Sequence, residues 1–194
     1  MKHLTQLATY TAFALALFVS HLNAAVAGGP DDCPVGLVSG LTLDDEFGSG
    51  TSELTRCLEK RSRAKVVFQI NKACRNDACT APYAIGNIIN AINDYEITHD
   101  MIIGEDVEIA AIVHSGGYSL ILNNDSDNPH ADTNLFQAGM EELIRKGVDV
   151  YFCQNTARSR GVITEQLIPG VKYVTAGVTA IADFQMLGYG YVQP

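Results

Sequence analysis

Five cysteines, Cys33, Cys57, Cys74, Cys79 and Cys153, are the residues of this chain best suited to covalent chemistry. Cys153 stands apart from the others. It closes the apolar run from Val148 to Phe152 and is followed by Gln154-Asn155-Thr156-Ala157-Arg158-Ser159-Arg160-Gly161. A thiol at the C-terminal tip of a strand can be reached by partners. A helix N-terminus in front of it, with Arg158 and Arg160 within reach, favours the thiolate, the form that attacks electrophiles or takes up sulfur as a persulfide. The competing reading is an inert core cysteine, because free cysteine is among the most buried residue types. Cys74 and Cys79 bracket a short polar loop, CRNDAC, while Cys33 and Cys57 lie nearer the N-terminus. These four are the disulfide candidates. Their connectivity cannot be read from spacing, yet every pairing among them leaves Cys153 over. A single thiol suits carriage of one sulfur atom better than dithiol cycling.

A weaker candidate is the turn His114-Ser115-Gly116-Gly117-Tyr118. It follows an apolar strand, at the edge where open α/β sheets bind ligands. Its amides, at the start of the next helix, could hold an anion. Equally, the glycines could serve only the tightness of the turn. His114, Gly116, Gly117 and Asn155 are the candidate ligand-binding residues, and His114 reads either as a polarising side chain or as a half-buried histidine. The acidic loop from Asn123 to Asp132 offers Asp125, Asp127 and Asp132 to a hard cation. It lacks the glycine and closing glutamate of a calcium loop, so a solvated polar loop is the preferred reading and no metal site is assigned. No Walker loop, G-x-G-x-x-G, G-x-S-x-G, C-x-x-C or H-E-x-x-H motif occurs, and no cofactor is expected.

The elements that must position these residues alternate in type. Lys65 to Ile70, Val107 to His114, Val148 to Cys153, Lys172 to Thr175 and Tyr189 to Val192 read as strands. Pro82 to Tyr95 reads as a helix with Ile85, Ile88, Ile89 and Ile92 on one face. Asn134 to Lys146 reads as a second, with Leu135, Ala138, Leu143 and Ile144 inward and Gly147 as its stop. A short helix is expected around Thr164 to Ile168, and a further element from Val178 to Leu187. Strands buried on both faces and separated by helices indicate an α/β fold: a flavodoxin-like three-layer sandwich with a mostly parallel five-stranded sheet.

Residues 1–27 read as a signal peptide. Lys2 and His3 precede the apolar run from Ala12 to Val19, and Ala25-Val26-Ala27 fits the cleavage pattern. That run is short of the roughly 20 residues a membrane span needs, so the processed chain is expected to be periplasmic or secreted and free of the membrane. The remaining cysteines would then meet an oxidising compartment. Residues 28–63 form an N-terminal extension rich in Gly, Ser, Asp and Thr, in which only Ser52 to Lys60 reads as a short helix. It is expected to pack on the main domain, residues 64–194, with a Cys33–Cys57 disulfide as a candidate tie. The chain has 194 residues, 47% of them hydrophobic, and 13 basic against 22 acidic residues give a net charge of −9. That apolar share excludes a disordered chain, and the acidic balance argues against nucleic acid as a partner.

From Lys65 to Pro194 the sequence resembles the DsrE/DsrF-like family of the DsrE superfamily. The resemblance is carried by KVVFQI, GNIINAIND, VEIAAIVHSGGYSLIL and, most specifically, the block GVDVYFCQNT with LIPGVKYVTAGVTAIADFQMLGYGYVQP. It implies a flavodoxin-like fold, a trimeric or hexameric homo-oligomer and no tightly held metal. In the sulfur-relay members a cysteine at the end of the corresponding strand carries sulfur as a persulfide, and Cys153 matches that position. The resemblance therefore implies a sulfur-trafficking, sulfurtransferase-like role with Cys153 as nucleophile and Arg158 and Arg160 in support. Its partners would be sulfur donor and acceptor proteins or small inorganic sulfur species. Whether the chain turns over as an enzyme stays open. The alternative is a non-enzymatic oligomeric module that binds a small ligand or protein at the same sheet edge.

Overall fold

The computed structural model describes residues 37–39, 57–59, 61–125, 127–130 and 134–194. The expected signal peptide, the candidate Cys33–Cys57 disulfide and Asp132 of the acidic loop lie outside the described residues. Strands β1 (Leu37–Ser39) and β2 (Cys57–Glu59) pair antiparallel, with Val38 opposite Leu58. This corrects the helix expected over Ser52 to Lys60, at least from Cys57 to Glu59. So short a helix is marginal in water because nucleation outweighs its few hydrogen bonds, and cross-strand pairing prevails.

The main domain is built on strands β3 (Ala64–Ile70), β4 (Val107–Val113), β5 (Asp149–Cys153), β6 (Lys172–Val174) and β7 (Gly190–Val192). Their order across the sheet is β6-β5-β4-β3-β7, and every neighbouring pair is parallel. Helices α1 (Ile85–Asn93), α2 (Gln137–Arg145), α3 (Gln154–Arg160) and α4 (Gly177–Met186) lie in the connections. Passing from β3 through β6 the chain steps in one direction, and right-handed crossovers put the intervening helices on one face. The step from β6 to β7 runs back across the sheet, so α4 covers the opposite face. The result is the flavodoxin-like three-layer architecture.

The period-2 geometry of the strands divides the core accordingly. Phe68, Ile70, Ile109, Ala111, Val113, Val150 and Phe152 meet Ile88, Ile92, Met140 and Leu143 on the larger side. Val67, Ala110 and Ile112 meet Ala180 and Ile181 on the smaller. Burying each large side chain contributes about 1.5–3 kcal/mol relative to exposure. The isoleucine stripe of α1 is realised: Ile85, Ile88 and Ile92 are buried and Ile89 packs beside them. Beyond Asn93 the helix widens into a π turn, Asp94–Thr98.

Helix α2 starts later than expected, and of its expected inward residues Leu143 and Ile144 face the core. Leu135 and Ala138 are exposed, and Met140 and Leu143 are the buried pair. The cause is Asn134, whose amide donates to the carbonyls of Leu120 and Leu122 at 2.7 and 2.8 Å while its Oδ1 accepts from Phe136 N–H at 3.1 Å. This side chain belongs to the loop, and the helix begins only after it. The polar stretch before it is likewise more than solvated. Asn123 and Asn128 are buried, and Asn123 donates to the carbonyls of Glu165 and Leu167, pinning the loop to the chain around a 3-10 turn at Thr164–Gln166.

Candidate functional site

Parallel strands align their C-terminal ends on one edge, and His114, Cys153 and Thr175 all leave the sheet there. Cys153 pairs with Val174 in the neighbouring strand. Val150 and Phe152 belong to the larger core and Tyr151 packs against the smaller, so alternation turns Cys153 toward the α4 side. The residue is the N-cap of α3. It is 5% exposed, and its thiol is free. Cys74 and Cys79 are joined as a disulfide, with Cα atoms 4.9 Å apart.

Burial alone would push the Cys153 thiol up. The N–H and hydroxyl of Thr156, the N–H of Gly177 and the N–H of Asn155 outweigh it and hold the thiol below its ordinary value. No well-formed cap bond runs from Sγ to α3, so these groups act as oriented dipoles on the thiolate charge. Thr156 and Asn155 open α3, and Gly177 opens α4. Two helix starts therefore converge on one sulfur.

The sequence singled out Cys153 and Asn155 but missed Thr156 and Gly177. The available signal was position alone: Thr156 falls in the first turn of the helix that Cys153 caps, where its groups lie near the capping residue. Gly177 carries no such mark, since its contact comes from a different crossover. A Cβ at Gly177 would lie 3.0 Å from His114 Cβ and 3.1 Å from its ring carbons. The glycine is what lets the start of α4 lie against His114 while its N–H faces Cys153.

His114 and the glycine turn adjoin this site. His114 N–H donates to Ile70 O at 3.0 Å, and Ser115 begins a 3-10 helix, Ser115–Ile121. Ser115 N–H donates to Thr156 Oγ1 at 3.0 Å. The Thr156 oxygen thus accepts from the turn, leaving its proton to face Cys153. Burial lowers the His114 pKa and favours the neutral ring. A Cβ at Gly117 would lie 2.4 Å from Ile70 O, and one at Gly116 3.1 Å from Asn71 O. Both glycines allow the turn to press on the end of β3. The N–H groups of Ser115 and Gly117 are engaged inside the protein.

Arg158 and Arg160 sit in the last turn of α3. Arg158 donates to Asn155 Oδ1 at 3.0 Å, and the Arg160 guanidinium lies 4.9 Å from the centre of the Tyr118 ring. The groups that lower the thiol are the neutral donors at the start of the helix. An open cleft of about 500 Å³ flanks α3 and is lined by Gln154, Arg158, Thr164 and Tyr173 among others. A larger groove of about 680 Å³ lies between α1 and β7, and Cys153 does not line it. Among the described residues no group of three or more His, Cys, Asp or Glu side chains could hold a metal.

The fold and site define a class: a wholly parallel α/β domain with a single thiol at the C-terminal edge of its sheet. The chain belongs to the DsrE/DsrF-like family, whose model matches residues 64–194. Among solved structures it is similar to the protein of unknown function MTH1491 from Methanobacterium thermoautotrophicum. The two are 26% identical with a TM-score of 0.52, over 68% of this chain and 99% of that one. It is also similar to the ychN protein from E. coli, at 20% identity and a TM-score of 0.47, over 67% of this chain and 97% of that one. No curated protein matches it.

Proposed function

We propose that this protein carries sulfur as a persulfide on Cys153, a sulfur-relay role in keeping with its family, and does so as an exported, periplasmic homo-oligomer. The observation that carries the reading is the set of donors from α3 and α4 that favour the Cys153 thiolate. In the transfer, the thiolate attacks the terminal sulfane sulfur of a polysulfide or protein persulfide. A Cys153–sulfur bond forms, the donor's S–S bond breaks, and the electron pair leaves with the donor as a shortened polysulfide or thiolate. Delivery is the same step in reverse sense, with an acceptor thiolate attacking the outer sulfur and Cys153 departing as thiolate. No external oxidant enters either step.

The same donors that stabilise the thiolate also make Cys153 a good leaving group, since a low-pKa thiol leaves readily. The reading of residues 1–27 as a signal peptide, from the apolar run Ala12 to Val19 and Ala25-Val26-Ala27, favours a periplasmic donor and acceptor in place of the cytoplasmic partners of relay proteins. The test is mass spectrometry of the processed protein after polysulfide treatment. Cys153 is expected to gain about 32 Da, reversibly with reductant, as a persulfide. A Cys153 that stays unmodified while its alkylation midpoint sits at the free-thiol value of about 8.5 defeats the proposal.

The second reading, a binding module with an inert thiol, is favoured by the slight exposure of Cys153. It requires resistance to alkylation in the folded state.

A further inference from the structure

A second line of contacts leads to the same thiol from the far edge of the sheet. The Tyr191 hydroxyl in β7 donates to Gln69 Oε1 in β3. Gln69 Nε2 lies 2.7 Å from His114 Nε2. The other ring nitrogen, Nδ1, lies 2.9 Å from Ser115 Oγ. Ser115 N–H donates to Thr156 Oγ1 at 3.0 Å, and Thr156 faces Cys153.

The direction of each bond follows from which groups can donate. Tyr191 occupies Oε1, so Gln69 presents its NH2 group to the ring. His114 Nε2 must then accept, and in the neutral ring Nδ1 carries the proton and donates to Ser115 Oγ. Tyr191 has one further acceptor nearby, Gln193 Oε1 at 3.3 Å, which is the longer contact. Ser115 has φ of 51°, a left-handed conformation uncommon for a residue other than glycine. Its side chain and its N–H are each held by one of these bonds.

We propose that Gln69, oriented by Tyr191, is a positioning residue for Cys153: it holds His114 as the Nδ1–H tautomer and so keeps Ser115 in the conformation that turns the Thr156 hydroxyl onto the sulfur. The proposal rests on the reading of Cys153 as the reactive group. It makes the thiol's reactivity depend on the seating of β7, an edge strand paired with β3 alone.

The test is the pH profile of Cys153 alkylation by monobromobimane in the full chain, with the adduct located by peptide mass spectrometry. In Tyr191→Phe and Gln69→Leu the midpoint is expected to rise by about half to one pH unit, slowing the reaction at neutral pH about threefold to tenfold. Gln69→Glu places a carboxylate against Nε2 and favours imidazolium, which keeps the Nδ1–H bond to Ser115. That variant is expected to return the midpoint toward the wild-type value, with His114 cationic by nitrogen-15 NMR. Equal shifts in the Leu and Glu variants, or unchanged midpoints in both, overturn the proposal. So does an Nε2–H tautomer in the wild type, a measurement that needs no variant. Because the electrophile is synthetic, the outcome is separate from sulfur carriage. A moved profile without persulfide defeats carriage and keeps the positioning role, and persulfide with an unmoved profile does the reverse.

Discussion

Cys153 owes its character to three neighbours that are not charged. Burial works against its thiolate, and the Thr156, Gly177 and Asn155 donors work for it. Gly177→Ala would bring a methyl group to about 3.0 Å from His114 Cβ, so either the ring or the start of α4 must move. The expected outcome is a raised Cys153 midpoint and slower alkylation at neutral pH, read from the rate against pH. Thr156→Val removes the hydroxyl from the sulfur and the acceptor from Ser115 N–H. It is expected to raise the same midpoint and to lower stability by about 0.5–1.5 kcal/mol, the net worth of one part-buried hydrogen bond, measured by urea unfolding. Cys153, His114 and Asn155 were legible as candidates because strand ends and turn residues mark the sequence. Thr156 was legible only as a first-turn neighbour of the cysteine, with nothing in its type to mark it. Gly177 was not, because nothing local to it distinguishes a helix start that faces a thiol from one that faces water.

At the scale of elements, the glycine turn and the asparagine loop do the positioning. The turn Ser115–Ile121 lies so close to the end of β3 that Gly117 has no room for a side chain. Gly117→Ala is expected to destabilise the protein by about 1–3 kcal/mol, as overpacking against fixed backbone does, and to displace Ser115 from Thr156. Thermal unfolding and the alkylation profile together check it, since a loss of stability with an unchanged profile would separate the turn from the site. The helix periodicity located α1 correctly because its isoleucines repeat over more than two turns. The same reasoning placed Leu143 and Ile144 of α2 inward as observed, but it also counted Leu135 and Ala138, which are exposed, and missed Met140. Asn134 is used by the carbonyls of Leu120 and Leu122, a partnership set by loops brought together in space. Between Cys57 and Glu59 local helix signals were likewise overruled by pairing with Leu37–Ser39.

For the molecule as a whole, the two shifted groups of the site make stability depend on pH in one direction. His114 is lowered in the fold from 6.5. Below that value the unfolded chain binds the proton first, so stability is lost as pH falls toward the folded value. Cys153 is also lowered. Between its folded value and the unfolded value of about 8.5 the unfolded chain again binds more protons, so stability rises with pH across that window. Urea midpoints are expected to climb from pH 5 to about 8.5 for these reasons. Cys153→Ser should flatten the alkaline part of the climb, and an unchanged slope would remove the thiolate's share. Separately, replacing Cys74 and Cys79 by serine opens a small loop and is expected to cost about 2 kcal/mol by the loop-entropy relation.

Fold class, family and the position of the thiol could all be read from residue order. Apolar strands, helix periodicity and a strand-ending cysteine are local patterns, and parallel βα units convert them into a sheet edge by a handedness that leaves little choice. What surrounds the sulfur emerges only once the chain is folded. Thr156 lies close to Cys153 along the chain, but Gly177 arrives by the reversed crossover to β7, and Gln69 reaches His114 from β3 while Tyr191 of β7 holds Gln69. Spacing cannot reveal such groups, because the electrostatics of a buried thiol depends on distances between atoms that chain order does not constrain.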